Sequence, residues 1–195
     1  MSMSIEFELK YAATAAAQEA IRAAYPADYQ AIAMETTYYD TADGSLSARH
    51  ITLRRRMENG RSVCTVKTPT ATAARCEWEC ECGCIEDGIV ELVNLGAPRE
   101  LLLLTANGVT PTCGARFTRL AGLISFCDAE IELALDKGIL LGGGREETLC
   151  EVECELKSGS PESVVAFAGA LAAAFGLRDE PKSKFRRALA LAKGV

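Results

Sequence analysis

Histidine is nearly absent from this chain: His50 is the only one in 195 residues. It precedes a strand-like segment in a loop context and reads as a solvated turn residue. With no second histidine, the cysteines lack a partner that would activate a thiolate nucleophile. No CxxC pair occurs, so Cys80, Cys82 and Cys84 do not complete a zinc set; beside Trp78 on one strand face they read as small buried hydrophobes. A basic segment followed by an apolar core is missing from the start, so no secretory signal is expected. The longest apolar run, residues 164–177, is short for a bilayer and rich in Ala and Gly. The expectation is a cytoplasmic protein with no membrane partner. Nine cysteines, an odd number without export context, favour reduced thiols over a disulfide framework. Gly142-Gly143-Gly144 lacks the Lys-Ser/Thr ending of a phosphate-binding loop. A net charge of −6 excludes broad attraction to nucleic acid or an anionic surface, so an anionic ligand needs a local basic site or a metal.

What the chain has is alternation. Glu6-Phe7-Glu8-Leu9-Lys10 and Glu151-Val152-Glu153-Cys154-Glu155-Leu156-Lys157 place charged and apolar residues in turn, the period of a strand. The same signal marks residues 52–57 and 61–67, joined by the turn Glu58-Asn59-Gly60, and residues 75–82, 116–126 and 129–136. Helices are expected at residues 12–25, 89–95, 98–106 and 183–193. Another starts with Ser160 as N-cap and Pro161 in its first turn, and ends at Phe175 before Gly176. Residues 40–47 and 142–144 read as loops. No linker or low-complexity tail divides these elements, so residues 1–195 read as a single α+β domain dominated by antiparallel strands.

Sorting the strands by face puts Glu6, Glu8 and Lys10 with Arg54, Arg56, Arg75, Glu77, Glu79 and Glu81. Glu130, Glu132, Asp136, Glu151, Glu153, Glu155 and Lys157 join them. Phe7, Leu9, Leu53, Trp78, Cys80, Ile131, Leu133, Leu135, Val152 and Leu156 take the other face. A flat sheet with one wet face satisfies this pattern. A closed barrel with helices outside and charges lining a wet interior satisfies it too, and is favoured because the polarity recurs in almost every strand. Packed dry, such charges are costly unless paired, so the interior must hold water, metal or a charged ligand. Carboxylates two residues apart on a strand are hard oxygen ligands for Mg²⁺ or Mn²⁺, and Arg and Lys suit phosphate oxygens. Together they suit a metal-bound polyphosphate.

In chain order, Glu6-Phe7-Glu8-Leu9-Lys10, Tyr39-Asp40-Thr41, Leu53-Arg54-Arg55-Arg56, Thr65-Val66-Lys67-Thr68 and Arg75-Cys76-Glu77-Trp78-Glu79 resemble successive signatures of the CYTH superfamily, the triphosphate tunnel metalloenzymes. Phe117-Thr118-Arg119, the run from Ile131-Glu132-Leu133 to Asp136-Lys137-Gly138, the Glu-rich strand ending in Lys157-Ser158-Gly159, and Ser183-Lys184 with Arg187 continue the match. Arg186-Arg187-Ala188 departs from a usual Arg-Gly-Tyr, and His50 stands where Gly is common. The resemblance implies a closed, eight-stranded antiparallel β-barrel tunnel with helices on the outside. Such a tunnel hydrolyses, or more rarely cyclises, triphosphate compounds with a divalent metal. The best match is to bacterial inorganic triphosphatases, whose CYTH domain often precedes a helical CHAD domain that is not expected within these residues.

The resemblance implies that Glu6 and Glu8, with one or more of Glu151, Glu153 and Glu155, hold Mg²⁺ or Mn²⁺. Cross-sheet ion pairing is their competing role. Lys10, Arg54, Arg56, Lys67, Arg119 and Lys184 would clamp phosphate oxygens and offset leaving-group charge, with Arg75 also contacting substrate. For Lys184 a solvated helix face is the alternative. Glu77, Glu79, Glu130, Glu132 and Asp136 are candidates for positioning the attacking water or a second ion. Lys157 falls where its strand should be leaving the tunnel, Arg55 points outward and Arg116 is ambiguous. The expected reaction is hydrolysis of inorganic triphosphate, with a small-molecule partner and no nucleic acid. Thiamine triphosphatase, class IV adenylyl cyclase and a polyphosphate-binding module without turnover are the alternatives. A dimer is possible, but no feature specifies the oligomeric state.

Overall fold

The computed structural model describes residues 4–70 and 75–195. The strands are β1 (Ser4–Glu6), β2 (Glu8–Ala12), β3 (Gln30–Asp40), β4 (Thr52–Glu58), β5 (Arg61–Pro69), β6 (Arg75–Glu81), β7 (Thr110–Phe126), β8 (Ala129–Gly142), β9 (Arg145–Ser158) and β10 (Arg178–Asp179). The helices are α1 (Ala15–Ala24), α2 (Ser45–Ala48), α3 (Ile85–Asn94), α4 (Glu100–Leu104), α5 (Pro161–Phe175) and α6 (Lys184–Lys193). No helix among the described residues is long and apolar enough to cross a membrane.

All ten strands belong to one antiparallel sheet, in the order β1-β6-β5-β4-β3-β7-β8-β9-β2-β10. This corrects the expected closed, eight-stranded barrel: the ladder is open, with β1 and β10 at its ends. The reason lies at Phe7, which separates β1 from β2. Glu6 pairs with Arg75 of β6, whereas Glu8 pairs with Glu155 of β9. Alternation tells which side chains share a face, but it does not specify where a ladder breaks.

The apolar face carries two cores. In one, Ile131, Leu133 and Leu135 of β8 and Val152 and Cys154 of β9 pack under Val164, Phe167 and Leu171 of α5, with Ile21 of α1. In the other, Leu53, Cys64, Val66, Trp78 and Cys80 pack under Ile85, Ile89 and Leu92 of α3. Helix α5 has the expected ends: Ser160 accepts a hydrogen bond from the Ser163 N–H, and Gly176 closes the helix in the left-handed region.

Helix α6 departs from the expected layering. Its Ala188 packs with Met34, Ala115, Phe117, Leu140 and Leu149, whose strand positions share a face with Arg119 and Glu151. One helix therefore lies on the charged side of the sheet. Other differences are local. Central strand β3 was not expected, because its Thr- and Tyr-rich sequence carries no alternating charge. Strand β7 begins at Thr110 instead of residue 116, and a register shift at Tyr38/Tyr39 accommodates Pro111. Helix α3 starts four residues before residue 89 and tolerates Gly88, where a Cβ would lie 2.6 Å from Cys64 Sγ.

The seating of α6 generates a prediction. A Cβ on Gly142 would lie 2.3 Å from the Ala188 carbonyl oxygen and 2.6 Å from the Ala192 nitrogen, both backbone atoms. Gly142→Ala should therefore destabilise the protein by about 1–3 kcal/mol in urea unfolding, as overpacking does. Unchanged stability would show that α6 does not rest there.

Candidate functional site

The charged face lines a cavity of about 790 Å³. Its walls come from β1 and β2, from β3 to β6, from β7 and β9, and from the start of α6 with the segment before it. The two halves of the sheet contribute different kinds of wall.

On the α6 side the charges are closed on one another. Lys184 Nζ lies 2.8 Å from Asp136 Oδ2, 2.6 Å from Glu151 Oε2 and 2.5 Å from Glu153 Oε1. Arg119 donates through Nε and Nη2 to the two oxygens of Asp136, both at 2.8 Å, and also contacts Glu153. Arg187 Nη1 donates to Glu151 Oε1 at 2.5 Å. Asp136 and Glu151 have no solvent exposure. Burial alone would raise Glu153, but Lys184 and Arg119 outweigh it and hold this carboxyl well below its ordinary value. Burial opposes the charge on Lys184, yet Glu153, Asp136 and Glu151 push it above the usual lysine value. Burial pushes Glu151 up against the pull of Lys184; with two cations within 2.6 Å of its oxygens, the geometry supports the charged form.

On the opposite wall, Lys67 Nζ donates to Glu6 Oε1 at 2.7 Å and lies 3.2 Å from Glu77 Oε2. Arg54 reaches Glu77 at 3.4 Å, while its buried Nε has no hydrogen-bond partner among the described residues. Arg56 donates to Thr36 Oγ1 at 3.1 Å and pairs with Glu58 at 3.3 Å. Thr65 donates to Glu79 at 3.4 Å. Arg75 donates to the His50 carbonyl at 2.7 Å and to that of Lys67 at 3.2 Å. His50 itself has a positive φ of 58°, consistent with its place at a turn.

Between the two walls stands Glu8, with no ion pair among the described residues. It is open to the cavity yet enclosed by its walls, and it lies opposite Glu155 in β9. Burial, then Glu153 and Glu6, raise its pKa to about 7, against the weaker pull of Lys67 and Lys10. Glu155 is held by Lys157 at 2.9 Å, which also lies 3.5 Å from Glu132.

The lining thus gathers Glu6, Glu8, Lys10, Arg54, Arg56, Lys67, Arg75, Glu77, Glu79, Arg119, Glu153, Glu155 and Lys184. Asp136 and Glu151 sit behind the surface as partners of Lys184. Glu132 lies off the lining, 4.0 Å from Arg119, and Glu130 is exposed beside a register shift in β8. Sequence reasoning missed Tyr38, which lies on the unexpected β3, and Glu180 and Arg186, which belong to no alternating segment. Lys157, which alternation places on the charged face at the point where its strand is expected to leave the tunnel, also lines the cavity. Arg55 bonds Ser62, and Arg116 is exposed near Glu35. Asp40 accepts hydrogen bonds from the N–H groups of Thr41, Leu46 and Ser47, so it shapes the entry to α2. The nine cysteines are free, and burial raises the Cys64 and Cys80 thiols to about 12 and about 11, which suits packing and not nucleophilic attack.

Comparisons with known proteins agree with this arrangement. An inorganic triphosphatase of Haemophilus influenzae is 28% identical over 142 residues, covering 72% of this chain. The match takes in 40% of that protein, so the chain spans about two fifths of the curated relative's length. A putative adenylyl cyclase from Hippeastrum, reported to have a dominant triphosphatase activity, shares the fold with a TM-score of 0.64 at 21% identity, covering 97% of this chain and 95% of that one. A putative adenylate cyclase from Bacillus halodurans gives a TM-score of 0.67 at 19% identity, covering 96% and 98%. The family description of the CYTH domain matches residues 4–189. The chain therefore belongs to the CYTH domain family.

Proposed function

We propose that the protein is a divalent-metal-dependent hydrolase of inorganic triphosphate that releases orthophosphate, with residues 1–195 acting as one cytoplasmic domain. The observation that carries this reading is an unpaired acid and an unmet hydrogen-bond donor in one cavity. Among the described residues Glu8 has no ion pair, and Arg54 Nε is a buried guanidinium N–H without an acceptor. A metal-bound polyphosphate answers both. The Haemophilus influenzae relative, an inorganic triphosphatase by name, supports the substrate.

Glu6 and Glu8, with Glu153 or Glu155 across the ladder, offer the hard oxygens that Mg²⁺ or Mn²⁺ prefers. Bound there, the ion would neutralise phosphate oxygens and acidify water. Lys10, Arg54, Arg56, Lys67 and Arg75 face the cavity as the phosphate side. Arg119 and Lys184 hold Glu153 ionised and in place. Phosphoryl transfer asks chiefly for positioning and charge stabilisation, so no covalent nucleophile is required. Among the water-positioning candidates, Glu79 is the freest: Glu77 is held by Lys67 and Arg54, and Asp136 by Arg119 and Lys184.

Purified protein should release orthophosphate from tripolyphosphate with Mg²⁺ or Mn²⁺, and EDTA should abolish the release. Pyrophosphate and a cyclic nucleotide from ATP would instead identify a cyclase, and preference for thiamine triphosphate a thiamine triphosphatase. Tight polyphosphate binding without turnover would leave a binding module. Glu8→Gln should fold normally and lose most activity, whereas Lys67→Ala should lower kcat/KM by about 100-fold.

The raised Glu8 carboxyl gives a pH signature in EDTA. Between its unfolded value of 4.5 and about 7, the folded protein holds more protons on Glu8 than the unfolded chain does. Its contribution to stability therefore falls as pH rises through that window and is flat above it. Urea unfolding of wild type and Glu8→Gln should diverge across pH 4.5–7. Parallel curves would place Glu8 in an ordinary aqueous setting.

A further inference from the structure

We propose that Lys184 is a built-in cation that takes the place of a divalent ion among Asp136, Glu151 and Glu153, and so confines metal binding to the Glu8 side of the cavity. Among the described residues these three acids are the group whose ligand oxygens could reach a common ion, all within 4.8 Å of one another. Lys184 Nζ already sits on that point, at 2.8, 2.6 and 2.5 Å from one oxygen of each. Mg²⁺ takes oxygen ligands at about 2.0–2.1 Å and Ca²⁺ at about 2.3–2.6 Å, so an ion and the ammonium cannot share the position.

Three further observations support the substitution. Lys184 Nζ donates to Glu153 Oε1 and stands at ion-pair distance from Asp136 and Glu151, so its charge is directed at three carboxylates. With Arg119 and Arg187, Lys184 balances the three acids charge for charge, so an added divalent ion would leave excess buried positive charge. The side chain is also anchored. It opens α6 behind the Ser183 cap, and α6 is seated on Gly142 and Gly143 with no room for a Cβ between. Glu8, by contrast, has no resident cation.

The inference rests on reading the cavity as a metal site, and one measurement separates the two. Mn²⁺ stoichiometry, without substrate, should be followed by calorimetry and by electron paramagnetic resonance in wild type, Lys184→Met and Lys184→Arg. Lys184→Met should bind one more ion per chain than wild type, Lys184→Arg should bind no more, and adding Glu151→Gln to Lys184→Met should remove the gained ion. Wild type binding no Mn²⁺ would refute the metal-dependent reading, while a gained ion in Lys184→Met would still support the role of Lys184. Equal stoichiometry in folded Lys184→Met overturns it, as does a second wild-type ion that disappears in Glu151→Gln. If Lys184→Met is unfolded without metal, Mn²⁺ should restore its circular dichroism; failure to do so also counts against the proposal.

Discussion

Asp136, Glu151 and Glu153 meet Arg119, Lys184 and Arg187 in a region where two of the acids have no contact with solvent. Each ion there is tolerated only because the others are present. Removing one partner of such a group typically costs about 3–5 kcal/mol, because the remaining charge is left uncompensated in a poorly solvated place. The dependence runs in both directions. Without α6 the carboxylates of β8 and β9 would lose Lys184 and Arg187. Without the carboxylates, α6 would bring two unpaired cations onto the sheet. The helix is held there by small apolar contacts as well, Ala188 against Leu140 and Leu149, but these alone do not specify which turn of the helix faces the acids.

That neutral network sets the character of the rest of the cavity. Because Glu153 is held ionised from one side by Lys184 and Arg119, it confronts Glu8 as a fixed negative charge from the other. Glu6 adds a second. Lys67 and Arg54 offset Glu6 and Glu77, and Lys157 offsets Glu155, so the lining acids without an ion pair among the described residues are Glu8 and Glu79. The wall opposite carries the complementary deficit at Arg54 Nε. Rigid ion pairs at the α6 end thus concentrate the unmet charge into the part of the cavity that remains open, which is how a folded protein preorganises a site for a charged ligand.

Much of this was legible because charge alternation is a strand property that survives without any tertiary information. Glu6, Arg54, Glu77 and Glu153 all face the cavity as their parity in sequence required, while Lys67 and Arg119 were reached only through the family resemblance. Pairing was less accessible. Parity cannot distinguish a carboxylate that lines a void from one behind it, so Asp136 and Glu151 looked equivalent to Glu8 although all their exposed surface is gone. Nor does it follow a strand past a bulge, which is why Glu130 was grouped with residues it does not join. Strand β3 was invisible for the opposite reason: with both halves of the sheet beside it, its positions carry Thr and Tyr where charge would mark a face. The side of the sheet chosen by α6 depends on glycine at two contact points and on ion pairs from residues far apart in sequence.

The break at Phe7 explains how a short segment can serve both walls. Glu6 and Glu8 are two residues apart and share a face, yet the first belongs to a strand paired with β6 and the second to a strand paired with β9. Were the segment continuous along one neighbour, both acids would approach the same wall. The interruption lets Glu6 reach Lys67 while Glu8 is directed toward Glu153 and Glu155. Since side-chain direction reverses with every residue, inserting or deleting one residue at Phe7 would turn either acid away from the cavity. The open ladder is therefore compatible with a walled site: end strand β1 is tied through one residue to β2, the second strand from the other end, and the carboxylates on either side of that residue face the cavity from its two walls.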